Sequence, residues 1–67
     1  MKLYFENPAG NRRIIAFPNS AEEAAKEIHK FCEARNFKIH YTRTWKDDRG
    51  NTVYDVGSWS EFFILEE

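Results

Sequence analysis

Two histidines and the only cysteine are the residues whose types could do chemistry. His29 and Cys32 stand one helical turn apart, and His40 offers a third nitrogen. Zinc sites favour these types, but neither a CxxC nor an HxxxH spacing is present, and Cys32 falls on the apolar side of its helix. A buried free cysteine usually serves as a small hydrophobe, so no metal site is expected. The same placement excludes a Cys–His nucleophile, because the thiol would face the core with no glycine-rich turn beside it to hold an oxyanion. Asp47-Asp48-Arg49-Gly50-Asn51 superficially resembles a calcium loop. It lacks the ligand spacing and the closing bidentate glutamate, and reads as a hairpin turn. Asp55 and Glu61 could act as acid and base, but no cleft is legible around them. The chain is read as non-enzymatic, with no cofactor and no small-molecule substrate.

Basic and aromatic residues interleave along the prospective strands. Arg12, Arg13, Lys38, His40, Lys46 and Arg49, with Arg43, are close in sequence to Tyr4, Tyr41, Trp45 and Trp59. Single-strand-binding sheets use such neighbours, which gives nucleic acid as the alternative partner. Acidic residues crowd the same segments, and no ribonucleoprotein-type aromatic motif is present. The balance of 10 Lys and Arg against 11 Asp and Glu leaves a net charge of −1, which removes the simplest electrostatic case for nucleic acid or an anionic membrane.

The elements that must position these residues begin with one helix, Ala21 to Arg35. Ser20 and Glu23 have the S-x-x-E capping-box spacing. Ala21, Ala24, Ala25, Ile28, Phe31 and Cys32 recur at three- and four-residue steps and form an apolar stripe. Asn36 suits the left-handed position after the last turn, with Phe37 folding back. Strands are expected at Lys2–Glu6 and Arg12–Phe17, joined by Asn7-Pro8-Ala9-Gly10 with the residues a type I turn prefers. After the helix, Lys38–Lys46 reads as one long strand and Thr52–Val56 as its return. With Arg49-Gly50 as turn centre, Trp45 would face Tyr54, Arg43 would face Val56, and Ile39, Tyr41, Trp45, Tyr54 and Val56 would share the helix-facing side. Gly57 interrupts the strand, and Ser58–Leu65 resumes it.

The expected fold is therefore α+β: a single compact domain, 1–67, with an antiparallel sheet in ββαββ order, room for an extra strand after Gly57, and one helix across one face. Leu3-Tyr4-Phe5, Ile14-Ile15-Ala16-Phe17 and Phe62-Phe63-Ile64-Leu65 are apolar on both parities, more than a 15-residue helix of about 22 Å covers. A contact surface for a partner protein or a second copy of the chain follows as the expectation. Arg43, Trp59, Phe63 and Tyr4 are the candidate anchors. The lone cysteine fits a reducing compartment, no segment approaches the length of a membrane span, and Met1-Lys2-Leu3-Tyr4-Phe5-Glu6 does not read as a signal peptide. A cytoplasmic location is expected.

The segments Leu3-Tyr4-Phe5-Glu6, Gly10-Asn11-Arg12-Arg13, Tyr41-Thr42-Arg43-Thr44-Trp45 and Tyr54-Asp55-Val56-Gly57-Ser58, with Glu61-Phe62-Phe63, resemble small accessory proteins of phages and prophages of Gram-positive bacteria. The resemblance implies a context, binding to a host protein such as a defence nuclease in the host cytoplasm, and no catalytic residues.

Overall fold

A computed structural model describes all 67 residues. The chain is an α+β fold in which five antiparallel strands carry one helix on one face. The strands are β1 (Lys2–Glu6), β2 (Arg12–Ala16), β3 (Arg43–Lys46), β4 (Thr52–Asp55) and β5 (Phe62–Glu66), and α1 spans Ala21–Ala34. Their order across the sheet is β2-β1-β5-β4-β3, so the last strand lies at the centre. This position accounts for the doubly apolar run Phe62-Phe63-Ile64-Leu65, since a central strand buries side chains on both faces.

The helix-side core is Leu3 and Phe5 of β1, Phe63 and Leu65 of β5, Tyr54 and Val56, and Ala24, Ile28 and Cys32 of α1. Phe5, Phe31 and Phe63 form a three-ring cluster with centroids 4.8–5.6 Å apart. Arg35 lies over the Phe5 and Phe31 rings and pairs with Glu61 at 3.3 Å, tying the helix end to the β4–β5 loop.

Local chemistry sets the helix limits. The Ser20 hydroxyl accepts from the Glu23 amide at 3.1 Å, the serine half of a capping box. At the other end Asn36 takes φ 56°. Its amide donates to Glu33 O and the Phe37 amide donates to Cys32 O, the paired bonds of a Schellman closure.

Both hairpins turn on the same five-residue loop. In Asn7–Asn11 and in Asp47–Asn51 the first side chain accepts two backbone N–H bonds, from Ala9 and Asn11 and from Arg49 and Asn51. The fourth residue, Gly10 or Gly50, has φ 85° or 79°. A type I turn followed by a left-handed glycine inserts one residue more than a two-residue turn. The register of β3 on β4 is therefore one residue away from that expected of a turn centred on Arg49-Gly50. Arg43 faces Asp55, Thr44 faces Tyr54, and Trp45 faces Val53. This moves Trp45 to the face opposite the helix, whereas Tyr54 and Val56 stay beneath it. The strand expected from Lys38 is also shorter: residues 37–42 are irregular and β3 begins at Arg43.

A candidate aromatic–arginine contact site

The helix-free face carries one apolar row. Register partners Ile14, Tyr4, Ile64, Val53 and Trp45 cross all five strands in sequence. Ion pairs flank the row: Arg12–Glu6 at 2.8 Å and Arg43–Asp55 at 2.8 Å on one side, Lys2–Glu66 at 3.9 Å on the other. The middle of the row is already covered, with Ile64 1% and Val53 8% exposed. The Trp45 ring leans edge-on against Phe62 at 6.1 Å, and both hairpin loops border a common hollow with Glu6 and Arg12. The chain thus covers much of its own second face, and the apolar parity alone does not require a second copy there.

What stays open lies at the β3 end. A shallow hollow is lined by Tyr41, Arg43, Trp45, Asp55, Ser58, Trp59 and Phe62. Trp59, in the loop between β4 and β5, is 97% exposed, and Tyr41 and Trp45 are about half exposed. Arg43 is held from two sides: Nη2 donates to Asp55 Oδ2 at 2.8 Å, and its guanidinium lies 5.5 Å from the Tyr41 ring centroid. Asp55 is 4% exposed, and its other oxygen accepts from the Gly57 amide at 3.0 Å. The Arg43 hydrogen bond holds the Asp55 carboxyl below the usual range, and the same bond raises the Arg43 pKa. An ionised, doubly bonded carboxylate is a poor proton acceptor near neutrality, so this geometry favours contact rather than acid–base work. Gly57 makes the corner possible. Its φ is 96°, and a Cβ there would sit 3.1 Å from His40 Cβ.

The candidate anchors separate. Arg43 and Trp59 border the same hollow. Tyr4 lies farther along the row, half-buried between Ile14 and Ile64. Phe63 is a correction: it is 2% exposed and packs under the helix against Phe5 and Phe31, so it offers no surface. Its parity follows from pairing with Phe5 and Tyr54. Tyr41, Trp45 and Phe62 join the site, although strand alternation alone turns Tyr41 and Trp45 toward the helix. The signal that would have found Trp45 is the repeated loop pattern, Asn or Asp first, glycine fourth and asparagine fifth.

Apart from Arg12 and Arg49, the basic residues do not converge. Arg12 pairs with Glu6, and Arg13 lies on the other side of the sheet over Phe31. Lys38 and His40 sit in the irregular segment before β3. Lys46 pairs with Glu67 at 3.2 Å. Arg49 shares its hollow with Arg12 and with three acids, Glu6, Asp47 and Asp48. Burial pushes the Cys32 thiol pKa up, and no three His, Cys, Asp or Glu side chains are arranged to hold a metal ion. No helix is long and apolar enough to cross a membrane. Comparison with protein-family models, curated proteins and solved structures finds no match to this chain.

Proposed function

We propose that this protein is a small, non-enzymatic protein-binding module whose contact site is the hollow around Arg43 and Trp59. The observation that carries the reading is Trp59, almost wholly exposed beside Tyr41, Trp45 and a fixed Arg43. Trp, Tyr and Arg dominate binding hot spots, and a tryptophan fully in water gains nothing for the fold it sits on. The resemblance to phage accessory proteins supports a host protein, such as a defence nuclease, as the partner and the bacterial cytoplasm as the setting.

Nucleic acid is the competing partner. The basic residues are scattered, and Arg12 and Lys46 among them are paired with acids, which weighs against it, since backbone binding needs cations aligned along one track. Affinity capture from nuclease-treated bacterial lysate, compared with untreated lysate, separates the two. Capture by wild type that survives nuclease and is lost in Trp59→Ala supports the module. Capture that vanishes with nuclease favours nucleic acid, and capture unaffected by Trp59→Ala rejects this site.

A further inference from the structure

We infer that the hollow is built to take an acidic side chain of a partner polypeptide, set beside an apolar residue that lies against Trp59. This rests on the protein-binding reading and names the chemistry of that same site.

The polar inventory of the hollow is one-sided. Arginine carries five N–H donors, and the Asp55 bond occupies the Nη2 end of Arg43. Its side chain is 67% exposed, so further donors face solvent. The one carboxylate of the hollow is engaged: Asp55 is buried and bonded to Arg43 and Gly57. The Ser58 hydroxyl directs its proton to Glu61 at 3.2 Å, so only neutral hydroxyl lone pairs remain as side-chain acceptors. Glu61 in turn accepts from Arg35. A ligand therefore meets the free donors of a guanidinium and no free carboxylate, and complements them with a carboxylate of its own. A carboxylate presents two coplanar oxygens that fit a guanidinium edge, and charge-assisted bonds of this kind are the stronger ones. Arg43 is already oriented by Asp55 and Tyr41, so little ordering remains to be done on binding. The walls, Tyr41, Trp45, Trp59 and Phe62, are aromatic. They leave room for an apolar neighbour of the acid but give a second charge no partner.

The test is a random-peptide display selection on the immobilised full chain. Fluorescence anisotropy then compares the recovered peptides on wild type, Arg43→Lys and Trp59→Ala. Arg43→Lys keeps the charge over Asp55 and so protects the fold, with thermal melts as the check, but it loses the planar fork. Recovered peptides should carry Asp or Glu next to an aromatic or aliphatic residue. Replacing that acid by its amide should weaken binding about tenfold or more, and Arg43→Lys should weaken the acidic peptide by a similar factor (about 1.4 kcal/mol per tenfold) while leaving the amide peptide unchanged. Peptides without acids, or enriched in Lys and Arg, overturn the inference, as does recovery of nothing above background. Binding lost in Trp59→Ala but indifferent to Arg43→Lys overturns the acidic chemistry and leaves the hollow standing. Indifference to both variants overturns the hollow itself. An oligonucleotide that binds through Arg43 where the peptides do not overturns the choice of a polypeptide.

Discussion

Arg43 and Asp55 face each other across the β3–β4 ladder with 2.8 Å between their side chains, one largely in water and the other almost wholly out of it. Such a pair positions more than it stabilises. The exposed partner is screened, so its Coulomb energy is small, whereas the buried carboxylate fixes where the guanidinium points.

Asp55→Asn should cost about 1 kcal/mol at neutral pH, because the amide can still accept from Gly57 but loses the charge-assisted bond. Asp55 has a depressed pKa in the folded state. Its contribution is therefore complete above the ordinary carboxylate pKa of about 4 and is lost as pH falls below that, through the depressed folded value. Asp47 acts in the same direction, its carboxylate lowered first by the Asn51 amide. Denaturant melts across pH 2–7 should show the gap between wild type and Asp55→Asn closing below about pH 4. A gap that persists in acid would mean that the pair is not formed.

Gly57→Ala should destabilise the β4–β5 corner by about 1–3 kcal/mol, through the positive φ and the close approach to His40. Because Trp59 follows two residues later, the variant should also disturb the tryptophan emission. An unchanged melting temperature would show that the corner relaxes freely.

Asn36→Val should fray the C-terminal end of α1. Asn36 sits at φ 56° between two closing hydrogen bonds, and a β-branched residue pays about 1–2 kcal/mol for that backbone. Asn36→Gly should be neutral or mildly stabilising. Hydrogen exchange at the Phe37 amide distinguishes them: it should be faster in Asn36→Val and unchanged in Asn36→Gly.

Ile28→Ala should cost on the order of 2–5 kcal/mol, and Phe31→Ala should be comparably damaging, since Phe31 bridges Phe5 and Phe63 although it is only partly buried. Phe63→Glu should abolish folding outright, because it places a charge in the middle of that ring cluster. A folded Phe63→Glu protein by circular dichroism would contradict the assignment of the core.

The helix limits and the β1–β2 hairpin were legible in the sequence, because caps, apolar spacing and turn residues act locally. The apolar stripe was legible in part: Ala24, Ile28 and Cys32 are buried, whereas Ala21 and Ala25 are exposed. Strand order was not. The doubly apolar Phe62–Leu65 run suggested an uncovered surface, but the chain uses it as its central strand, a choice made by pairing with β1 and β4 far away in sequence. The site was half legible. Arg43 and Trp59 stood out by type, yet one residue of register in the Asp47–Asn51 loop decided that Trp45 joins them.

The two tryptophans of the chain, Trp45 and Trp59, both line the hollow, so their indole N–H signals report on it directly. The decisive measurement is a heteronuclear NMR titration of the labelled full chain with the protein it captures from nuclease-treated lysate. The account predicts that both indole signals and the Arg43 side-chain signals move or broaden first, with the outer-face amides of α1 undisturbed. Binding that leaves both indoles unmoved, or that shifts the Arg12, Arg13 and Lys38 regions instead, would contradict it.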